Sequence, residues 1–187
     1  MANTNAPMGM VPVRSVAGGS IPANNYRVNQ SNATAIYIGD PVDRDAAGTV
    51  DLATAGAGSP VLGPVIAAFD ETGLPVNYVP VTCDAAYTVT VADDPNQEFV
   101  MQEDGDTSDL ALTDEGINVD LIDGTGSPTT GLSGWQIDSD STSTSASVQL
   151  RLIRQVQDAS NAVGDYCKWI VKINYHRNAV GIVGAGV

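Results

Sequence analysis

Side chains able to do chemistry are few in this sequence, and their spacing argues against most reactions. The one histidine, His176, falls on the polar side of an alternating stretch beside Arg177, with no sequence-local partner for a nucleophile and base. Asp93 and Asp94 set two carboxylates side by side, as a glycosidase might. Their setting, Asp93-Asp-Pro-Asn96, has the composition of a tight turn between strands, which accounts for both acids without catalysis. Asp138, Asp140 and Thr142 alternate like the opening of a calcium loop. Ser143 stands where that loop needs glycine and Gln149 where it needs a bidentate glutamate, so the pattern fails. Glu103, Asp104, Asp106 and Asp109 have a choice of two roles: gathering a divalent ion, or forming a solvated acidic loop.

The glycine-rich stretches 56–63 and 181–186 lack the strand, turn and helix that let backbone amides hold a phosphate, and 125–134 has no lysine after its glycines. Cys83 and Cys167 are too far apart in sequence for a zinc pattern or a disulfide framework to be read, so two buried free thiols are expected. The residues therefore predict a protein that is not an enzyme, with no cofactor and no metal ion.

The elements that would carry these side chains are strands. In 148–157, Val148, Leu150, Leu152 and Val156 take one face, and Gln149, Arg151, Gln155 and Gln157 the other. In 167–176, Cys167, Trp169, Val171, Ile173 and Tyr175 oppose Lys168, Lys172, Asn174 and His176. The link 158–165, with Asn161 and Gly164, makes the two a long hairpin. A second hairpin joins 87–91 to 98–102. Shorter strands are expected at 35–38, 49–54, 61–69, 76–82 and 118–122, with Pro64 and Pro80 marking edge or bulged positions. Ser108 is placed to cap a short helical turn through Leu110, Leu112 and Glu115, and 138–147 reads as an exposed polar loop.

Short strands with turn residues between them predict one all-β domain, a single antiparallel β-barrel or jelly-roll-like β-sandwich. Residues 1–27 read as an extended N-terminal arm, folded back on its own body or reaching a neighbour. Residues 28–187 read as the β domain, with the apolar tail from Ala179 docked on it.

Twenty-two acids against eight bases give a net charge of −14. Nucleic-acid backbones and anionic membranes would repel such a chain, so neither is an expected partner. No apolar run of signal-peptide or membrane-span length is present, and synthesis in a cytoplasm is expected. The charges are segregated. Between Asp45 and Asp140 lie eighteen acids and no Lys or Arg, whereas Arg151, Arg154, Lys168, Lys172 and Arg177 gather at the last hairpin. Complementary ends of this kind suit self-association or oriented docking; the plainer reading is that the bases pair with acids of the same chain.

Four stretches bear a resemblance to a known family: Ala2-Asn-Thr-Asn-Ala-Pro-Met-Gly-Met-Val-Pro-Val-Arg14; Ala35-Ile-Tyr-Ile-Gly-Asp-Pro-Val42; Val91-Ala-Asp-Asp-Pro95 with Gln102-Glu-Asp104; and Trp169 to His176. They resemble the head decoration, or cement, proteins of tailed bacteriophages, which cover the outside of an icosahedral capsid. The resemblance implies a structural virion protein, made in the bacterial host cytoplasm and located on the outer capsid surface. Its partners would be the major capsid protein and itself, as a trimer or a dimer. The resemblance does not fix which residues touch the shell; the apolar arm and the basic stripe make the expected contacts Pro7, Met8, Met10, Val11, Pro12, Val13 and Arg14 in the arm, and Arg151, Arg154, Lys168, Lys172 and Arg177 on the body. Two other readings are a tail or fibre component with a carbohydrate-binding β domain, using Trp135, Tyr26 or Tyr87 as sugar platforms, and an uncharacterised hydrolase.

Overall fold

The computed structural model describes residues 3–83 and 86–179, so the docking expected of the tail beyond Ala179 lies outside the described residues. In chain order the strands are β1 Val11–Ser15, β2 Asn24–Arg27, β3 Ile36–Tyr37, β4 Pro41–Arg44 and β5 Val50–Leu52. There follow β6 Gly63–Phe69, β7 Pro75–Val76, β8 Tyr78–Val79, β9 Thr88–Val91 and β10 Gln97–Gln102. The last four are β11 Asn118–Ile122, β12 Gln136–Ser143, β13 Leu150–Gln155 and β14 Lys168–Ile173.

They form an all-β, sandwich-like body. One sheet runs β1-β10-β14-β13-β11-β12, a second runs β2-β9-β6-β4-β5 with β7 on β6, and β3 pairs with β8. All pairings within these sheets are antiparallel. Residues 1–27 thus supply an end strand to each large sheet, β1 alongside β10 and β2 alongside β9.

Alternation determines which side chains fill the interior. Phe99 and Met101 of β10, Trp169, Val171 and Ile173 of β14, and Leu150 and Leu152 of β13 meet Val119, Leu121 and Ile137 in one core cluster. Val42, Val65, Val89 and Val91 build a second cluster under the other sheet, and half-buried Leu52 packs against both. Cys167 and Cys83 are buried free thiols, one in each cluster. Pro64 lies near the start of β6, whose pairing with β9 slips between Val65 and Ala67, so the proline comes with a bulged strand.

Several local expectations are corrected. The polar tract after Ile137 is not a loop as far as Ser143: it continues β12, with Ile137 and Ser139 turned inward. Its serines and threonines suit a pleated surface although they give no apolar signal. The helical turn is a 3-10 turn, Leu112–Asp114, and Ser108 does not cap it; the Asp114 carboxylate accepts the Ala111 N–H at 2.8 Å. In β13 the register slips between Leu152 and Arg154, so Gln155 turns inward and is buried, where the strict alternation put it outward. Gln149 and His176, both expected on polar faces, are buried as well.

Candidate functional site

The pairing of β10, β14 and β13 brings distant residues together on the outer face of the six-stranded sheet. Lys172 stands opposite Glu98 on one side and Arg151 on the other, and Arg14 of β1 stands opposite Glu98. One row across the face is therefore Arg14, Glu98, Lys172, Arg151. The next row is Val11, Val100, Ile170, Arg154, and beyond it Lys168 stands opposite Gln102. The sequence-predicted bases Arg14, Arg151, Arg154, Lys168 and Lys172 thus share one face. Ile170 belongs to this face yet is only 5 % exposed, as expected where long basic side chains lay their stems over an apolar neighbour.

Glu98 was not singled out from sequence, although its place in the 98–102 alternation puts it outward. It stands between Arg14 and Lys172 on this face. Arg14 donates to its carboxylate at 2.7 Å and 3.1 Å. That hydrogen bond, helped by the charges of Arg14, Arg154 and Lys172, holds Glu98 below the usual carboxylate range. Arg151 donates to the Asn118 side chain at 3.1 Å, and Lys172 reaches Asn96 at 3.4 Å. Arg177 does not join the face: it forms an ion pair with Asp43, following the plainer reading of same-chain pairing.

The expected arm contacts divide into two groups. Met10 is buried to 1 % exposure in the core cluster, with its N–H on the Gly39 carbonyl at 2.9 Å, so it anchors its segment to the body. Gly9 makes that approach feasible, because a Cβ there would lie 2.2 Å from the Gly39 oxygen. Gln102 ties the start of the chain down by accepting the Ala6 N–H and donating to the Thr4 carbonyl, both at 2.9 Å. Pro7, Met8 and Pro12 are half-buried. Val11, Val13, Val16 and Ile21 are 39 %, 46 %, 59 % and 38 % exposed, so β1 and the loop that follows it hold four exposed large apolar side chains.

The acidic residues are gathered by a contact distant in sequence. A parallel bridge between Glu103 and Ile137, with the Asp104 N–H on the Ile137 carbonyl at 3.0 Å, brings the end of β10 to β12. Asp104, Asp106 and Asp138 then offer carboxylate oxygens within 4.8 Å of one another, and Ser139 bonds to both Asp104 and Asp106. Asp109 lies apart from this trio, beside Asp165, whose hydrogen bond raises its pKa. With one oxygen from each, the three carboxylates supply three of the six to eight oxygens that calcium takes, so the trio by itself is not a complete cage.

Of the aromatic side chains considered as sugar platforms, Trp135 is buried in the core. Tyr26 lies under the Arg44 guanidinium and donates to Asp93, and Tyr87 is half-buried against the second cluster.

Three buried ionisable groups make stability depend on pH. Glu103 is fully buried, its carboxylate accepting the N–H groups of Leu110 at 3.0 Å and Cys167 at 3.2 Å. Burial outweighs these bonds and pushes it up to about 7. Burial likewise pushes Asp40 up to about 6 and His176 down to about 4. Asp40 and Glu103 favour the protonated form in the fold, so their contribution is whole below about pH 4 and is lost as pH rises through 6 and 7. His176 acts oppositely: its contribution is whole above its ordinary value of 6.5 and is lost as pH falls through about 4. Each group is worth up to about 3 kcal/mol, and two oppose one, so these three groups together should contribute about 2 kcal/mol less stability at neutral pH than near pH 4.5. Urea denaturation at the two pH values measures this. Equal or greater stability at neutral pH would mean that these carboxyl groups are hydrated.

Among the described residues no helix is long and apolar enough to cross a membrane. No model of a known protein family matches the chain, and neither does any curated protein or solved structure.

Proposed function

We propose that this chain is a structural virion protein that binds the outside of a tailed-phage capsid and stabilises the shell by bridging neighbouring capsid subunits. It carries no catalytic role in this reading. It is made in the bacterial host cytoplasm and ends on the outer capsid surface, with the major capsid protein and further copies of itself as partners.

The observation that carries the proposal is the β1 edge. Val11 and Val13 of β1, Val16 just after it and Ile21 in the loop before β2 are each exposed, and Met10 and Gln102 fasten the start of this segment to a two-cluster β body. Exposed large apolar side chains on a segment fastened to the body suit a contact surface. Of these four, Val11 and Val13 fall within the first stretch of the family resemblance. A weak contact repeated around a closed shell adds up to strong retention, since each copy held at two subunits resists release from either.

The test is to add the purified protein to capsids lacking it and sediment them. Saturable binding to the shells is expected, together with a higher temperature of capsid disruption. Shells that stay bare at every protein concentration would contradict the proposal.

A further inference from the structure

Within the chain the charges of Arg154 and Lys172 act on Glu98 and that of Lys168 on Asp158, and a larger group of acids lies elsewhere on the molecule. Among the described residues, ion pairs join Arg14 to Glu98 and Arg177 to Asp43. None involves Arg154, Lys168 or Lys172, which share the outer face of β13 and β14. Elsewhere, Asp104, Asp106 and Asp138 crowd their carboxylates within 4.8 Å, and exposed Asp140 is next to them, its N–H bonded to the Asp138 carboxylate. Neither of those two ion pairs involves that group. The basic group sits on the inner strands of the six-stranded sheet, whereas the acidic one sits on β12 and the loop after β10.

From this complementarity we infer that a second copy of this chain is the partner of the basic face, receiving it at the acidic group of Asp104, Asp106, Asp138 and Asp140. Each copy carries both surfaces on the outer face of one sheet, Asp138 standing opposite Asp120 on the face that Asn118 shares with Arg151. Two copies therefore pair reciprocally about a two-fold axis, or head to tail in a ring or chain. Two bodies at −14 repel at a distance, so this local match supplies register and orientation while neutral contact area supplies the rest. The inference deepens the shell reading by naming what lies between neighbouring copies, and leaves the apolar β1 edge for the capsid.

The test uses two variants of the full chain and sedimentation velocity. One carries Arg154→Glu, Lys168→Glu and Lys172→Glu. The other carries Asp106→Asn, Asp138→Asn and Asp140→Lys, where asparagine at 138 keeps the acceptor for the residue-140 N–H. The wild type should sediment as an oligomer. Each variant alone should be monomeric, its dissociation constant raised at least about a hundredfold. An equimolar mixture should form a species of two chains, because one intact basic-to-acidic contact survives in each mixed pair. Lys168→Met with Lys172→Met, which keeps the apolar stems, should weaken association in the same direction and guards against a folding defect in the reversed variant.

A monomeric wild type, variants that associate like the wild type, or a mixture that stays monomeric would overturn the inference. Capsid binding is measured in parallel. Oligomers that leave shells bare contradict the shell reading alone, and monomers that fill shells contradict this inference alone.

Discussion

Replacing Val13, Val16 and Ile21 together by aspartate should lower affinity for bare capsids by at least about a thousandfold, roughly 4 kcal/mol. The three side chains are 46 %, 59 % and 38 % exposed, so they contribute little to the body as it stands. Covering each with a partner is worth on the order of 1.5 kcal/mol, and a carboxylate left in the same contact adds a desolvation cost. The fold should be nearly unaffected, because exposed substitutions generally stay within about 0.5 kcal/mol each. This variant separates contact from folding better than deleting the first fourteen residues. The deletion also removes Met10 from the core and most of β1 from β10. Unchanged capsid occupancy by the triple variant would remove the β1 edge from the account.

The largest effect on stability is expected at Gln149. Its side-chain amide donates to the carbonyls of Thr54 at 2.8 Å and Ser59 at 3.0 Å. Its oxygen accepts the N–H groups of Gly56 at 2.9 Å and Leu121 at 3.2 Å. One buried side chain thus joins the loop after β5 to β11. Gln149→Ala leaves four backbone groups without these partners and should cost about 4 kcal/mol, since each unsatisfied buried group costs about 1 to 3 kcal/mol and some will find water. Gln149→Leu fills the space without restoring a bond and should cost as much or more. Urea denaturation of both variants measures this, and a loss below about 1 kcal/mol would show that the network is replaced without penalty.

The parts legible in the sequence were those carried by local alternation. Cys167, Trp169, Val171 and Ile173 face inward as their spacing requires, and the 98–102 strand pairs with this stretch along its length. What escaped depends on events that leave no periodic trace. The bulge between Leu152 and Arg154 reverses the phase of one strand, burying Gln155. β14 ends at Ile173, after which Val61 pairs with His176 and draws the histidine inside, so its polar-face assignment could not hold. The serine-rich part of β12 has no apolar residue after Ile137 to mark it as a strand.

The interaction surface divides in the same way. Arg151, Lys168 and Lys172 could be read as a stripe because both strands alternate, whereas Arg154 reaches the face only through the bulge after Leu152. Arg177 lies past the end of β14 and is held by Asp43, and Arg14 reaches the face only through the β1–β10 pairing across more than eighty residues. The meeting of Asp138 with Asp104 and Asp106 likewise requires the bridge from Glu103 to Ile137, which no short motif encodes.

An image reconstruction of bare capsids incubated with this protein tests the shell account most directly. The account predicts added density on the outer surface at junctions between capsid subunits, with the β1 edge against the shell and the outer face of β13 and β14 toward a neighbouring copy. Shells without added density, or density placed on single subunits with the β1 edge turned to solvent, would contradict it.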